Sequence, residues 1–143
     1  MKKEEVRVFN STADIYDQKY NVVISDNVYV GLKRAGLWKE FSKGHDKRQL
    51  KRQMKDVQGM FTHMEKSDFY VLLIKWDSGP DIVAHECFHF VCKMLTQKGV
   101  YLSPDSEEAY AYALDYSIRV VLGMQSLAVK ERNEILDTNE RTN

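Results

Sequence analysis

The chain has 143 residues, enough for one domain with its own core and too few for two of ordinary size. Its 21 basic and 21 acidic residues cancel, which argues against a global attraction to nucleic acid or to an anionic membrane surface. Hydrophobic residues make up 43%, ordinary for a globular protein, and no run of about 18 apolar residues could span a membrane.

Met1-Lys2-Lys3-Glu4-Glu5 leads into no apolar stretch, so no secretion signal is expected. Val6-Arg7-Val8-Phe9 alternates and predicts a short edge strand. Tyr20-Asn21-Val22-Val23-Ile24 reads as a strand, Ser25-Asp26-Asn27 as a turn, and Val28-Tyr29-Val30 as a second strand, together a β-hairpin. Gly31 and Gly36 argue against a long helix up to Phe41, although Leu32, Leu37, Trp38 and Phe41 must pack somewhere.

Asp46 is a candidate helix cap, with Gln49 at capping-box spacing. Leu50, Met54, Val57, Phe61 and Met64 then recur every three or four residues and predict an amphipathic helix over 46–66. Its other face, Lys47, Arg48, Lys51, Arg52 and Lys55, is basic. The ordinary reading of such a face is solvation, with contact to nucleic acid or an acidic partner the lesser one. His63 reads as a helix residue rather than a metal ligand, since no second ligand stands at helical spacing from it.

Residues 69–76 form the strongest strand, apolar from Phe69 to Ile74 as in a strand covered on both faces. Pro80 suits the first turn of the next helix, which should end at Lys98-Gly99. Val100-Tyr101-Leu102 crosses over. Ser103-Pro104-Asp105-Ser106 opens a last helix to about Leu122, with continuation to about Lys130 left open. Residues 137–143 read as a disordered tail.

The helix after Pro80 contains His85-Glu86-Cys87-Phe88-His89, the H-E-x-x-H pattern. At about 100° per residue, His85 and His89 fall about 40° apart, one turn above the other, where both imidazoles can reach one metal ion. Glu86 lies about 100° round, placed to act on water beside that ion. Apolar residues cover most of the remaining circumference, which predicts a buried helix with its polar groups on a lined cavity. Cys87 and Cys92 are about 140° apart on this helix and are expected as free thiols in a reducing cytosol.

A catalytic zinc site usually has three protein ligands and one open position. Glu108, at the start of the last helix, is the expected third: Tyr112, Asp115 and Arg119 fall within about 40° of it and would form one polar stripe facing the metal. Glu107 would point away. Glu108 also has capping-box spacing from Asp105, the plainer explanation for an acidic residue there. Tyr112 and Arg119 are candidates to stabilise an oxyanion.

His85-Glu86-Cys87-Phe88-His89 followed by Glu108-Ala109-Tyr110-Ala111-Tyr112 resembles the gluzincin class of zinc metallopeptidases. More closely, residues 82–116 resemble small H-E-x-x-H proteins of tailed bacteriophages and prophages, with Glu108-x-x-Ala111-Tyr112 matching their second-helix motif. The resemblance implies Zn2+ bound by His85, His89 and Glu108, with Glu86 as general base. Where many gluzincins place an Asp four residues after the ligand Glu, this chain has Tyr112. Asp115 could substitute in orienting a histidine, or Tyr112 itself could donate to the ligand shell.

The expected fold is α+β and zincin-like, a minimal gluzincin domain over residues 1–136. A small sheet packs on three main helices, the 46–66 helix supports the site from behind, and the metal lies between the H-E-x-x-H helix and the next. The expected function is a zinc-dependent peptidase acting on a peptide or protein, in the cytoplasm (the host's, for a phage product). One rival is a phage virion or tail-assembly component, a homo-oligomer in this reading, that keeps the fold with little or no catalysis. Another is a binding protein using the basic face of the 46–66 helix, although neither nucleic acid nor a membrane is the expected partner.

Overall fold

The computed structural model describes residues 6–13 and 16–141. Among these described residues four strands and five helices follow in the order β1 (Val6–Ala13), β2 (Gln18–Ser25), α1 (Val28–Arg34), α2 (Trp38–Phe41), α3 (Lys47–Asp56), β3 (Gly59–Met64), β4 (Phe69–Lys75), α4 (Pro80–Gln97) and α5 (Glu107–Arg141). The strands form one mixed sheet in the order β1-β2-β4-β3. β2 and β4 run parallel at its centre, and β1 and β3 close the edges antiparallel to their neighbours. The α+β class holds, with helices on both faces of the sheet.

Period-2 alternation in the central strands builds the two cores. Tyr70, Leu72 and Ile74 of β4, with Tyr20, Val22 and Ile24 of β2, pack against α4 and α5. Val71, Leu73 and Val23 point the other way, onto Val28 and Leu32 of α1, with Trp38, Phe41, Met54 and Val57 beside them. β4 is therefore covered on both faces, as its apolar run requires.

Two expected elements differ. Residues 28–30 are not a hairpin strand but the start of α1. Asn27 caps it, its Oδ1 accepting from the Val30 N–H at 3.0 Å. β2 pairs instead with β1, the edge strand expected from residue 6, which extends to Ala13. α1 lies close on the sheet through Gly31, where a Cβ would come 2.8 Å from Ser25 Oγ.

The helix expected over 46–66 stops at Asp56, and Gly59–Met64 is the edge strand β3. Asp46 does cap α3, with Oδ1 accepting from Arg48 N and Gln49 N at 2.9 and 3.1 Å. Beyond Val57 the apolar spacing serves both faces of a strand: Phe61 joins the α4 side and Met64 the α1 side. α3 therefore lies across the sheet from α4 and does not back the H-E-x-x-H helix.

α4 begins with Pro80 in its first turn and ends before Gly99, whose φ is 78°, as expected. α5 outruns the sequence expectation and continues to Arg141, so residues 137–141 are helical rather than a tail; 142 and 143 lie outside the described residues. Polar ties hold its far half to the sheet. Gln125 Nε2 donates to the carbonyls of Lys75 and Ser78 at 2.9 and 3.0 Å. Arg132 pairs with Asp26 at 3.1 Å and lies over the Trp76 ring, and Arg7 pairs with Glu131 at 3.1 Å. Among the described residues no helix is long and apolar enough to cross a membrane.

Candidate functional site

α4 is fixed by its inner face. Val83, Cys87, Phe90, Val91, Met94 and Leu95 are all fully buried, and Phe90 meets the rings of Tyr20, Tyr70 and Phe61. That leaves Asp81, His85, Phe88, His89 and Thr96 exposed on the opposite side. The polar face of α4 is thus an open surface, not the wall of a closed cavity.

The two histidines converge as their spacing requires. His85 Nε2 and His89 Nε2 are 3.1 Å apart, with ring centroids at 4.7 Å and planes at 80°. Two imidazole nitrogens, each about 2.0–2.1 Å from one tetrahedral ion, would stand about 3.3–3.4 Å apart. A shift of a few tenths of an ångström suits the pair to shared coordination. Without a cation, one Nε2–H can donate to the other nitrogen's lone pair.

Glu86 is 9% exposed and turned towards β3. Its Oε2 accepts the Phe61 backbone N–H at 2.7 Å, a short charge-assisted contact. Gly59 makes this approach geometrically feasible: a Cβ there would stand 2.8 Å from Ile82 Cγ2 and 3.2 Å from Glu86 Cγ. Among the described residues Oε1 has no hydrogen-bond partner. Beside it, burial first and the Glu86 charge second push the Cys87 thiol up to about 12. Cys92, half-buried, is raised by burial alone, and both thiols are free.

The expected third ligand is not brought to the pair. Tyr110, Ala113, Ser117, Val121 and Ala128 form the buried seam of α5. Glu108 is nine residues from Ser117, which puts it about half a turn from that seam, and it is exposed. Tyr112 is 54% exposed on the same outer stripe. Asp115 and Arg119 pair with each other there, both in solvent. So Tyr112 and Arg119 are not positioned over the histidines, and Asp115 orients neither imidazole. The small residues at three- and four-residue spacing were the signal for the inward face; the polar stripe is the outward one. Among the described residues no three His, Cys, Asp or Glu side chains stand close enough to hold a metal ion.

The donor set thus fits a metal at two positions and lacks the third. Sequence reasoning also missed Phe61 and Gly59, because it placed both on the wrong side of a helix-to-strand change. Comparison with protein-family models, curated proteins and solved structures finds no match to this chain.

Proposed function

We propose that this chain is a divalent-metal protein of the H-E-x-x-H kind, with zinc-dependent hydrolysis of a peptide-type bond as its chemistry. The observation that supports this reading is the convergence of His85 and His89 Nε2 at 3.1 Å on the helix that also carries the buried Glu86. Zinc held there would supply Lewis acidity, polarising a carbonyl and making water more acidic.

The chain's own residues divide the remaining work. His85 and His89 would bind the ion in their neutral forms, so binding weakens as they protonate. Glu86 Oε2 keeps the edge strand in register through Phe61 N–H. Oε1 is left to take and return a proton, the role the pattern gives its glutamate. The inner face of α4 holds all three residues on a rigid element.

A second reading is a scaffold, such as a phage particle or assembly component, that retains the metal pair with little or no catalysis. The outward orientation of Glu108, Tyr112 and Arg119 favours it. Two measurements separate the readings. Elemental analysis and zinc titration of the purified protein should show one equivalent bound and none in the His85→Ala/His89→Ala variant; absence of binding in the parent protein overturns both. Glu86→Gln should then keep the zinc and abolish hydrolysis of a casein or peptide-library substrate. Zinc binding without any hydrolysis by the parent protein leaves the scaffold reading.

A further inference from the structure

The neutral total conceals a separation of charge. Residues 33–56 contain nine of the chain's 21 Lys and Arg and only three of its 21 acidic residues. They belong to the α1–α3 layer, on the face of the sheet opposite α4. Lys33, Arg34, Lys39, Lys43, Lys47, Arg48, Lys51, Arg52 and Lys55 are all exposed. Among the described residues none of the nine is in an ion pair. Three acids offset a third of them: Asp46 at the α3 cap, Asp56 at the end of α3 and the half-buried Glu40. A single basic helix face is ordinarily just solvated. Five cations within about 140° on one face of α3, with four more exposed in the same layer and no ion-pair partner among the described residues, make a positive surface.

We infer that this layer docks the phosphate backbone of a double-stranded nucleic acid. The chemistry of the surface selects that partner. The five cations of α3 span about 12 Å along the helix axis, enough to meet several phosphates of a duplex that carries one charge per about 1.7 Å. None of the exposed large hydrophobic residues falls within 28–57, so the layer has no apolar anchor for a membrane and no apolar centre for a protein interface. Its aromatics are engaged and half-buried: Trp38 meets Tyr29 edge-on, and Lys51 lies over the Tyr29 ring. Stacking of unpaired bases, the main device of single-strand binders, is therefore missing. Long cationic side chains on a polar, wet surface are what backbone contact needs. The reading is independent of the histidine pair, which lies across the sheet.

The test is fluorescence anisotropy with a labelled DNA duplex of mixed sequence and the matching RNA duplex. Binding to at least one is expected at low salt, with affinity falling roughly 10²–10³-fold between about 50 and 200 mM salt. Lys47→Gln/Arg48→Gln/Lys51→Gln/Arg52→Gln should weaken it roughly 100-fold at low salt and flatten the salt slope by about one per replaced contact. Circular dichroism checks that this variant folds, and Lys51→Gln alone, with a smaller loss in the same direction, serves if it does not. A control with Lys66→Gln/Lys98→Gln, and one with His85→Ala/His89→Ala, should bind as the parent does. No duplex binding at low salt overturns the inference. So does equal binding by the α3 variants, an equal loss in the Lys66/Lys98 control, or binding of phosphatidylserine vesicles or polyglutamate as tight as that of the duplex.

Discussion

The carboxylate of Glu86 and the backbone N–H of Phe61 meet at 2.7 Å, joining α4 to the edge strand β3. Without Glu86 a part-buried donor would lose a charged acceptor. Glu86→Ala should cost about 2–3 kcal/mol of stability, while Glu86→Gln, whose amide oxygen can still accept, should cost about 1 kcal/mol. Urea unfolding of the three proteins measures the difference. Equal loss in both variants would mean the bond matters through its charge alone.

Gly59 permits that meeting. Gly59→Ala would place a Cβ 2.8 Å from Ile82 Cγ2, against a side chain on a rigid helix. The expected loss is about 1–3 kcal/mol. Ile82→Ala should relieve most of it, so the double variant should be more stable than the sum of the single losses predicts.

The Cys87 thiol sets a pH limit. In the folded chain it ionises near 12 rather than 9.0, because burial and then Glu86 oppose the thiolate. Above pH 9 the unfolded chain gives up this proton and the folded one keeps it. Stability from this group is therefore complete below about pH 9 and falls by up to about 1.4 kcal/mol per unit as pH rises towards 12. Urea unfolding at pH 8 to 10 should show the decline, and Cys87→Ala should flatten it.

Gln125 holds the middle of α5 to the β4–α4 turn through two carbonyls. Gln125→Leu takes the side-chain donor from both, leaving the Lys75 carbonyl with the Ser78 N–H alone, at a cost of about 1–3 kcal/mol. Hydrogen exchange should quicken in the later turns of α5 and remain slow in the seam around Ser117.

The elements readable from sequence were those with one dominant local signal. The β4 run from Phe69, the proline start and glycine stop of α4, and the Asp46 cap were all legible because local chemistry decided them. Failures came where a tertiary partner chose between two periods. Leu50, Met54 and Val57 satisfy a helix, and Phe61 and Met64 continue its spacing. The sheet edge beside β4 and the small residue at Gly59 turned that continuation into a strand. Val28-Tyr29-Val30 has strand propensity, but the Asn27 cap and the space over Gly31 made it helical. The histidine pair was legible because four-residue spacing fixes it within one helix. Glu108 was not, because its direction depends on which face of α5 the sheet and α4 cover.

Placing nine cations on one layer leaves 12 basic and 18 acidic residues for the rest of the chain. A protein neutral in total thus has two unlike poles. Near its isoelectric point it should be retained at low ionic strength by both anion- and cation-exchange resins. At high concentration its copies should attract head to tail and turn the solution cloudy as salt is dialysed away, clearing again when salt returns.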